Sequence, residues 1–189
     1  MLKELVIKNR SYRRFFQNEK IKRETLAELV NLARLTASGS NRQVLRYYLS
    51  NDEDTNNKIN STLVWAGYFK GWISPPEGEK PSAFIVMLRD TKAGQGLVQD
   101  EGIAAQTILL GAAEKGLGGC MLGNVDRKKL SALINIPDRY EVCLVLAVGK
   151  PREKVVIDEI DKFGDIKYYR DDQQTHHVPK RKLEDIIIN

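Results

Sequence analysis

Cysteine, histidine and long apolar runs are all scarce in this chain, and each shortage removes a class of function. The 189 residues include two cysteines, Cys120 and Cys143, neither in a CxxC pair nor at metal-ligand spacing. Both stand among apolar neighbours, where a free cysteine behaves as a small hydrophobe, so disulfide and thiol redox roles are set aside. The two histidines, His176 and His177, are adjacent. Neighbouring side chains in extended chain point to opposite faces, which makes them poor co-ligands, and no metal site is expected. There is no GxSxG, HExxH or Walker A motif. Gly116, Gly118 and Gly119 follow a helical pattern, the wrong order for a dinucleotide fingerprint. No apolar stretch reaches transmembrane length. Lys3, Glu4 and Lys8 interrupt the N-terminal apolar residues, so no signal peptide is read and cytoplasmic residence is expected. With so few acids, bases and nucleophiles in any motif, an enzyme built on this chain would take its chemistry from a cofactor.

What is present is ordinary in bulk and uneven in detail. Hydrophobic residues make up 42% and charged residues 29%, enough for one domain, residues 1–189, with its own core. The formal charge of +5 is concentrated near the two ends, in Arg10, Arg13 and Arg14 and in Lys180, Arg181 and Lys182. Two short basic clusters far apart in sequence suit one compact anion, such as a phosphate, at least as well as a long polyanion; solvated surface is the plain alternative. No aromatic-interleaved basic patch supports a nucleic-acid-binding protein, which stays the minor reading.

Periodicity lays out the elements. Leu2, Leu5 and Val6 predict a short helix over 2–8, and Leu26, Leu29, Val30 and Ala33 a second over 22–35. A loop of small, hydroxylic and amide residues, Thr36 to Gln43, follows. Arg46–Ser50, Ser82–Asp90 and Tyr140–Gly149 read as strands, the last buried on both faces. NDEDTNN leads into a helix in the 50s, and Asp126 caps another. Between them, Val64–Lys80 is an aromatic-rich loop, read as packed rather than as a free lid. The central feature is Asp100–Asn124. Its helix is apolar all round, which predicts burial on every side, and its many Ala and Gly residues allow close approach of another helix, from this chain or from a second copy. It ends in a glycine-rich turn that either caps the helix or presents backbone to a ligand. Strands separated by helices without regular βαβ alternation predict one α+β domain around a central sheet.

Taken in order, NRSYRRF, ASGSNRQ, DEGIAAQTILLGAAEKGLGGCMLGN, AVGKPRE and PKRKLEDI resemble the nitroreductase family of FMN-dependent oxidoreductases over nearly the whole chain. The resemblance implies a three-layer α+β fold, a central mixed or antiparallel sheet surrounded by helices, in an intertwined homodimer. FMN would lie at the interface, and a C-terminal tail, about 165–189, would reach over the partner. It implies phosphate contacts from Arg10 and Arg13, in the basic run that includes Arg14, and from Lys180 and Lys182 with Arg181 beside them; Ser11 and Tyr12 count among the cofactor-binding residues. Asn9 replaces the first base of the family's usual Arg-Arg-Ser, which shifts weight to Arg10 and Arg13. Ser38, Gly39, Ser40, Asn41 and Gln43 match the loop that holds the flavin ring and ribityl chain, although Val44-Leu45 replaces the usual Pro-Trp. Met121, Leu122, Gly123 and Asn124 match the segment whose backbone approaches the flavin near N5. The implied reaction passes hydride from NAD(P)H through flavin N5 to a nitro compound, a quinone or a similar acceptor, with no catalytic side chain, nucleic acid or membrane involved. Other flavin chemistry known in the family, dehalogenation, heterocycle dehydrogenation and flavin cleavage, is the alternative, decided by lid residues near Trp65–Lys80.

Overall fold

Alternation along two central strands divides the molecule into layers. The computed structural model describes every residue from Met1 to Asn189. Strands β1 (Leu45–Ser50), β2 (Ala83–Asp90), β3 (Gly118–Leu122) and β4 (Tyr140–Gly149) form a sheet of order β1-β2-β4-β3, antiparallel throughout. On one face, Ala83, Ile85, Met87, Leu146 and Val148 pack against α2 (Arg23–Arg34) and α4 (Val98–Glu114). On the other, Phe84, Val86, Leu88, Val145 and Ala147 meet Ile59 of α3 (Glu53–Asn60), Leu130 of α5 (Arg127–Leu133), Phe15 and Trp65. The result is the three-layer α+β arrangement that the resemblance implies. No helix is long and apolar enough to cross a membrane.

Two expectations need adjustment, for β4 and for the glycine-rich segment, and two gain detail. Strand β4 is buried on both faces only from Val145 onward; its register slips at Met87/Leu88, where Cys143 is left without a partner residue. The helix over 2–8, α1 (Leu2–Lys8), forms but buries no residue. Helix α4 is not covered all round within the chain: Val98 is 72% and Ile103 42% exposed, with Gly102 and Gln106 on the same flank. The glycine-rich segment is not one turn. Gly116, at φ +70°, caps α4 while Leu117 donates to the Ala112 carbonyl at 2.9 Å. The chain then runs straight into β3, where a Cβ on Gly119 would lie 2.4 Å from the Ala147 carbonyl oxygen. Both turn and strand need glycine, and composition does not tell them apart.

The last forty residues carry a second sheet of order β5-β7-β6, from Val155–Ile160, His176–Arg181 and Tyr169–Arg170. Its parallel β5–β7 ladder joins residues about twenty positions apart. Short strands that pair this far along the chain leave no local period to read.

Candidate functional site

The N-terminal basic stretch is held against the edge of the main sheet. Ser11 bridges to Gly119, and the Tyr12 N–H donates to the Gly119 carbonyl at 2.9 Å. The Tyr12 hydroxyl donates to the Lys8 carbonyl, and its ring occupies the space that a Cβ on Gly118 would need. Glu153, its side chain fully buried, accepts from the backbone N–H of Arg13 and of Arg14 and from Arg170 Nη2 at 2.7 Å. Strand β7 then brings Lys180 to the same place. A cavity of about 260 Å³ forms there, lined by Asn9, Arg10, Ser11, Arg13, His176 and Lys180, with Tyr168 and Val178.

The guanidinium groups in this cavity are oriented but not used up. Arg10 Nη2 donates to the Val6 carbonyl at 2.6 Å, and burial holds its pKa below the ordinary arginine value. Arg13 donates to the Ser11 carbonyl and stacks over Tyr168 at 4.5 Å. Arg10 Nε, Arg13 Nε and both ring nitrogens of His176 are buried with no partner. Buried donors of this kind are normally satisfied, and the residues that carry them line one cavity whose basic lining suits an anion. Two residues expected in the phosphate set point elsewhere. Arg14 makes a two-point pair with Glu79, and Lys182 pairs with Asp161 at 3.2 Å.

Beyond Leu122 the chain leaves β3, and Gly123 and Asn124 are exposed. Neither donates its N–H to any acceptor in the chain. The segment is fixed from behind by Arg127, which donates to the carbonyls of Val142 at 3.0 Å and of Gly123 and Cys143 at 3.2 Å. Four strand residues at about 3.3 Å each put Gly123 some 13 Å along the edge from Gly119. An anion cavity thus stands at one end of β3 and free N–H groups at the other.

The third expected segment lies elsewhere. Ser40, Asn41 and Gln43 all have left-handed backbone, with φ of 51°, 52° and 48°. Such a run is strained for residues with side chains, and strain of this kind collects at ligand loops. The loop is tied to α4: the Gly39 N–H donates to Asp100 Oδ1 at 2.9 Å, and the Ser38 hydroxyl accepts from the Gln43 N–H at 3.2 Å. It leads into β1, the opposite edge of the sheet from β3, three strand spacings or about 14 Å away. Ser38 to Gln43 and Met121 to Asn124 therefore do not meet within one chain.

Several residues that shape these three segments are absent from the expected set: Glu153, Tyr168, Arg170 and His176 around the cavity, Arg127 behind Gly123, and Asp100 under the loop. The histidine pair does split as alternation requires. His176 is fully buried. His177 turns to Asp158 at 2.8 Å and Asp171 at 3.2 Å, which raise its pKa, Asp171 the more strongly. The aromatic loop is packed. Trp65 is buried edge-on to Trp72, and Phe69 meets Trp72, Tyr168 and His176.

Comparison with known proteins agrees with this geometry. The sequence pattern of the Nitroreductase family matches residues 7–67 and 79–150. A protein of Archaeoglobus fulgidus, provisionally named an NADH dehydrogenase/NAD(P)H nitroreductase, is 27% identical over 167 residues, which is 84% of this chain and 91% of that one. The iodotyrosine deiodinase of Thermotoga neapolitana is 25% identical over 166 residues, 80% of this chain and 89% of its own. Among solved structures, an FMN-dependent nitroreductase of Clostridium difficile superposes with a TM-score of 0.66 at 21% identity, over 79% of this chain and 87% of that one.

Proposed function

The chain belongs to the nitroreductase family, and on that footing we propose that it is an FMN-dependent NAD(P)H oxidoreductase that works as a homodimer. The observation that carries this reading is the cavity gathering Arg10, Ser11, Arg13 and Lys180 beside β3, with its unpartnered buried nitrogens. Those groups fit the terminal phosphate of FMN and would reject a cationic or wholly apolar ligand. The free N–H groups of Gly123 and Asn124, farther along the same edge, fit the polar rim of the ring system.

Hydride acceptance from NAD(P)H and its delivery to a nitro compound, a quinone or a similar acceptor is the chemistry that FMN supplies when bound. The residues bind, orient and polarise. Arg10, Arg13 and Lys180 neutralise the phosphate. The N–H groups of Gly123 and Asn124 are donors held in place before the reaction, through the Arg127 clamp, so they stabilise developing negative charge without reorganising. No protein nucleophile is required.

What one chain leaves open supports the homodimer. Ser38–Gln43 sits on the wrong edge to serve its own cavity, and α4 exposes Val98, Gly102, Ile103 and Gln106 along one flank. A second copy covering that flank would bring its own Ser38–Gln43 loop to the first chain's β3. Since His176–Arg181 is bound to β5, the part of the tail left to reach over the partner is its last turn, where Leu183, Ile186, Ile187 and Ile188 are exposed.

The test is direct. The purified protein should be yellow, take up FMN stoichiometrically, and oxidise NADH or NADPH in the presence of a nitroaromatic or a quinone. Colourless protein that takes up no added FMN refutes the reading. The likeness to an iodotyrosine deiodinase favours dehalogenation as the second reading. Iodide release from 3-iodotyrosine by the reduced protein, at a rate above its nitroaromatic reduction, would move the assignment there.

A further inference from the structure

The family pattern leaves out residues 68–78 and 151–189, and these two stretches pack on each other. Tyr68 meets Tyr168 at 4.9 Å between ring centres, and Phe69 meets Tyr168 at 5.1 Å. The Arg170 guanidinium lies over Phe69 at 4.5 Å and Trp72 at 5.2 Å. His176 stands where the two stretches meet the N-terminal segment. Its ring packs against Phe69 at 5.3 Å and Tyr168 at 5.4 Å, and it forms part of the wall of the cavity shared with Arg10, Arg13 and Lys180. Neither ring nitrogen has a partner. The nearest carboxylate, Glu153 Oε2, is 3.9 Å from Nδ1, too far for a hydrogen bond, and already accepts from Arg170. A fully buried imidazole that donates to nothing calls for an acceptor that the chain does not contain.

We propose that His176 is a phosphate-binding residue, its imidazole N–H donating to the terminal phosphate of a flavin seated with Arg10, Arg13 and Lys180. The inference rests on the cofactor reading above and adds to it a residue outside the family pattern. The charged and titratable groups around the ring are Arg10 and Arg13 from the N-terminal segment, and Glu153 before β5. Tyr168 and Arg170 come from the β6 side, and His177 and Lys180 from β7. Without an anion, burial first, then Arg13 and Arg170, hold the imidazole neutral, with its pKa pushed down to about 3. A phosphate dianion offsets much of that surrounding positive charge. The neutral ring then has a charged acceptor for its N–H, and its proton affinity rises. FMN produces this change and riboflavin, which lacks the phosphate, does not.

The experiment compares the two flavins on wild-type protein, His176→Phe and His176→Gln. Phenylalanine keeps a ring between Phe69 and Tyr168 and removes both nitrogens; glutamine restores a donor. Dissociation constants come from flavin fluorescence, and ¹⁵N NMR of the imidazoles reads a protein with two histidines. His176→Phe should bind FMN about tenfold more weakly, the effect of one hydrogen bond to a charged group, with riboflavin affinity unchanged. Glutamine should recover most of the loss, and the His176 ring signals should shift with FMN and stay put with riboflavin. An unchanged FMN-to-riboflavin ratio in His176→Phe, or ring signals unmoved at FMN saturation, overturns the role of His176. The NMR arm decides even if the phenylalanine variant does not fold. Wild-type protein that binds neither flavin overturns the cofactor reading itself.

Discussion

Asp100 offers the sharpest test of how this chain presents its Ser38–Gln43 loop. The loop holds Ser40, Asn41 and Gln43 in left-handed backbone, a preference costing about 1 kcal/mol each, or about 3 kcal/mol together. Against this stand the bond from the Gly39 N–H to Asp100, that from the Gln43 N–H to Ser38, and one from Arg42 to the Gln95 carbonyl at 2.6 Å. The Asp100 bond, to a charged acceptor, contributes about 2 kcal/mol. Yet Asp100 is 4% exposed, and its Oδ2 is buried with no partner. What makes it tolerable there is its place in the first turn of α4, where the helix dipole favours negative charge. Replacing Asp100 with alanine therefore removes a bond and relieves a buried charge at once. Global stability should move by less than about 1 kcal/mol, because the two effects oppose each other. The loop, however, would have to be reordered on binding, which weakens FMN by about 2 kcal/mol, or thirtyfold. Denaturant unfolding, FMN titration and amide exchange over residues 38–43 separate these effects. An Asp100→Ala variant that keeps wild-type FMN affinity, with loop exchange unchanged, refutes the reasoning.

Four further outcomes follow from single positions. Gly119→Ala places a Cβ 2.4 Å from a backbone oxygen that cannot yield and should cost about 3 kcal/mol in a urea titration. Gly123→Ala, whose Cβ meets only Leu144 Cδ1 at 3.8 Å, should leave stability within about 0.5 kcal/mol. Ile103→Glu puts a charge on the exposed flank of α4 and should yield a monomer in sedimentation with impaired flavin uptake; a dimer that persists would place the interface elsewhere. His177 is held by Asp171 and Asp158, which raise its folded pKa above the unfolded value of about 6.5. Its stabilising effect is complete below that value and is lost as pH rises through the folded pKa. Wild-type unfolding midpoints should fall from pH 6 to pH 8.5 more than those of His177→Gln, and equal slopes would remove His177 as the cause.

Legibility in the sequence tracked the range of the interaction. Helices α2 and α4 and strands β2 and β4 carry dense apolar patterns, and their positions follow from period alone. Asp126 was legible as a cap because its acceptor role is local: its side chain takes the Lys129 N–H at 3.0 Å. Strand β3 was not. Its five residues include two glycines, and what makes them a strand is the Ala147 backbone 2.4 Å from where a Gly119 Cβ would lie. Burial around α4 is legible in kind but not in source, for a related reason. An all-round apolar helix signals that every face is covered, not that one chain does the covering.

For the site, residue type and order pointed Arg10, Arg13, Lys180 and Lys182 at one phosphate, and the structure gathers the first three about one cavity. The partners of these residues are distant in sequence: Glu153 holds the Arg13 and Arg14 backbone across about 140 positions, and Glu79 draws Arg14 away across 65. A basic residue in a motif is therefore only a candidate until its competing carboxylates are known. Arg14 and Lys182 show the consequence, since each is already paired within the chain. The same reasoning applies to the stretches outside the family pattern. An aromatic loop and a C-terminal sheet would each read alone as variable surface. They close on each other around Arg170 and His176: Tyr168, His176, Val178 and Lys180 form the far wall of the cavity whose near wall is the N-terminal motif, and the aromatic loop packs behind that wall. Differences between this protein and its relatives in flavin retention should accordingly map to residues 68–78 and 151–189 rather than to the shared core.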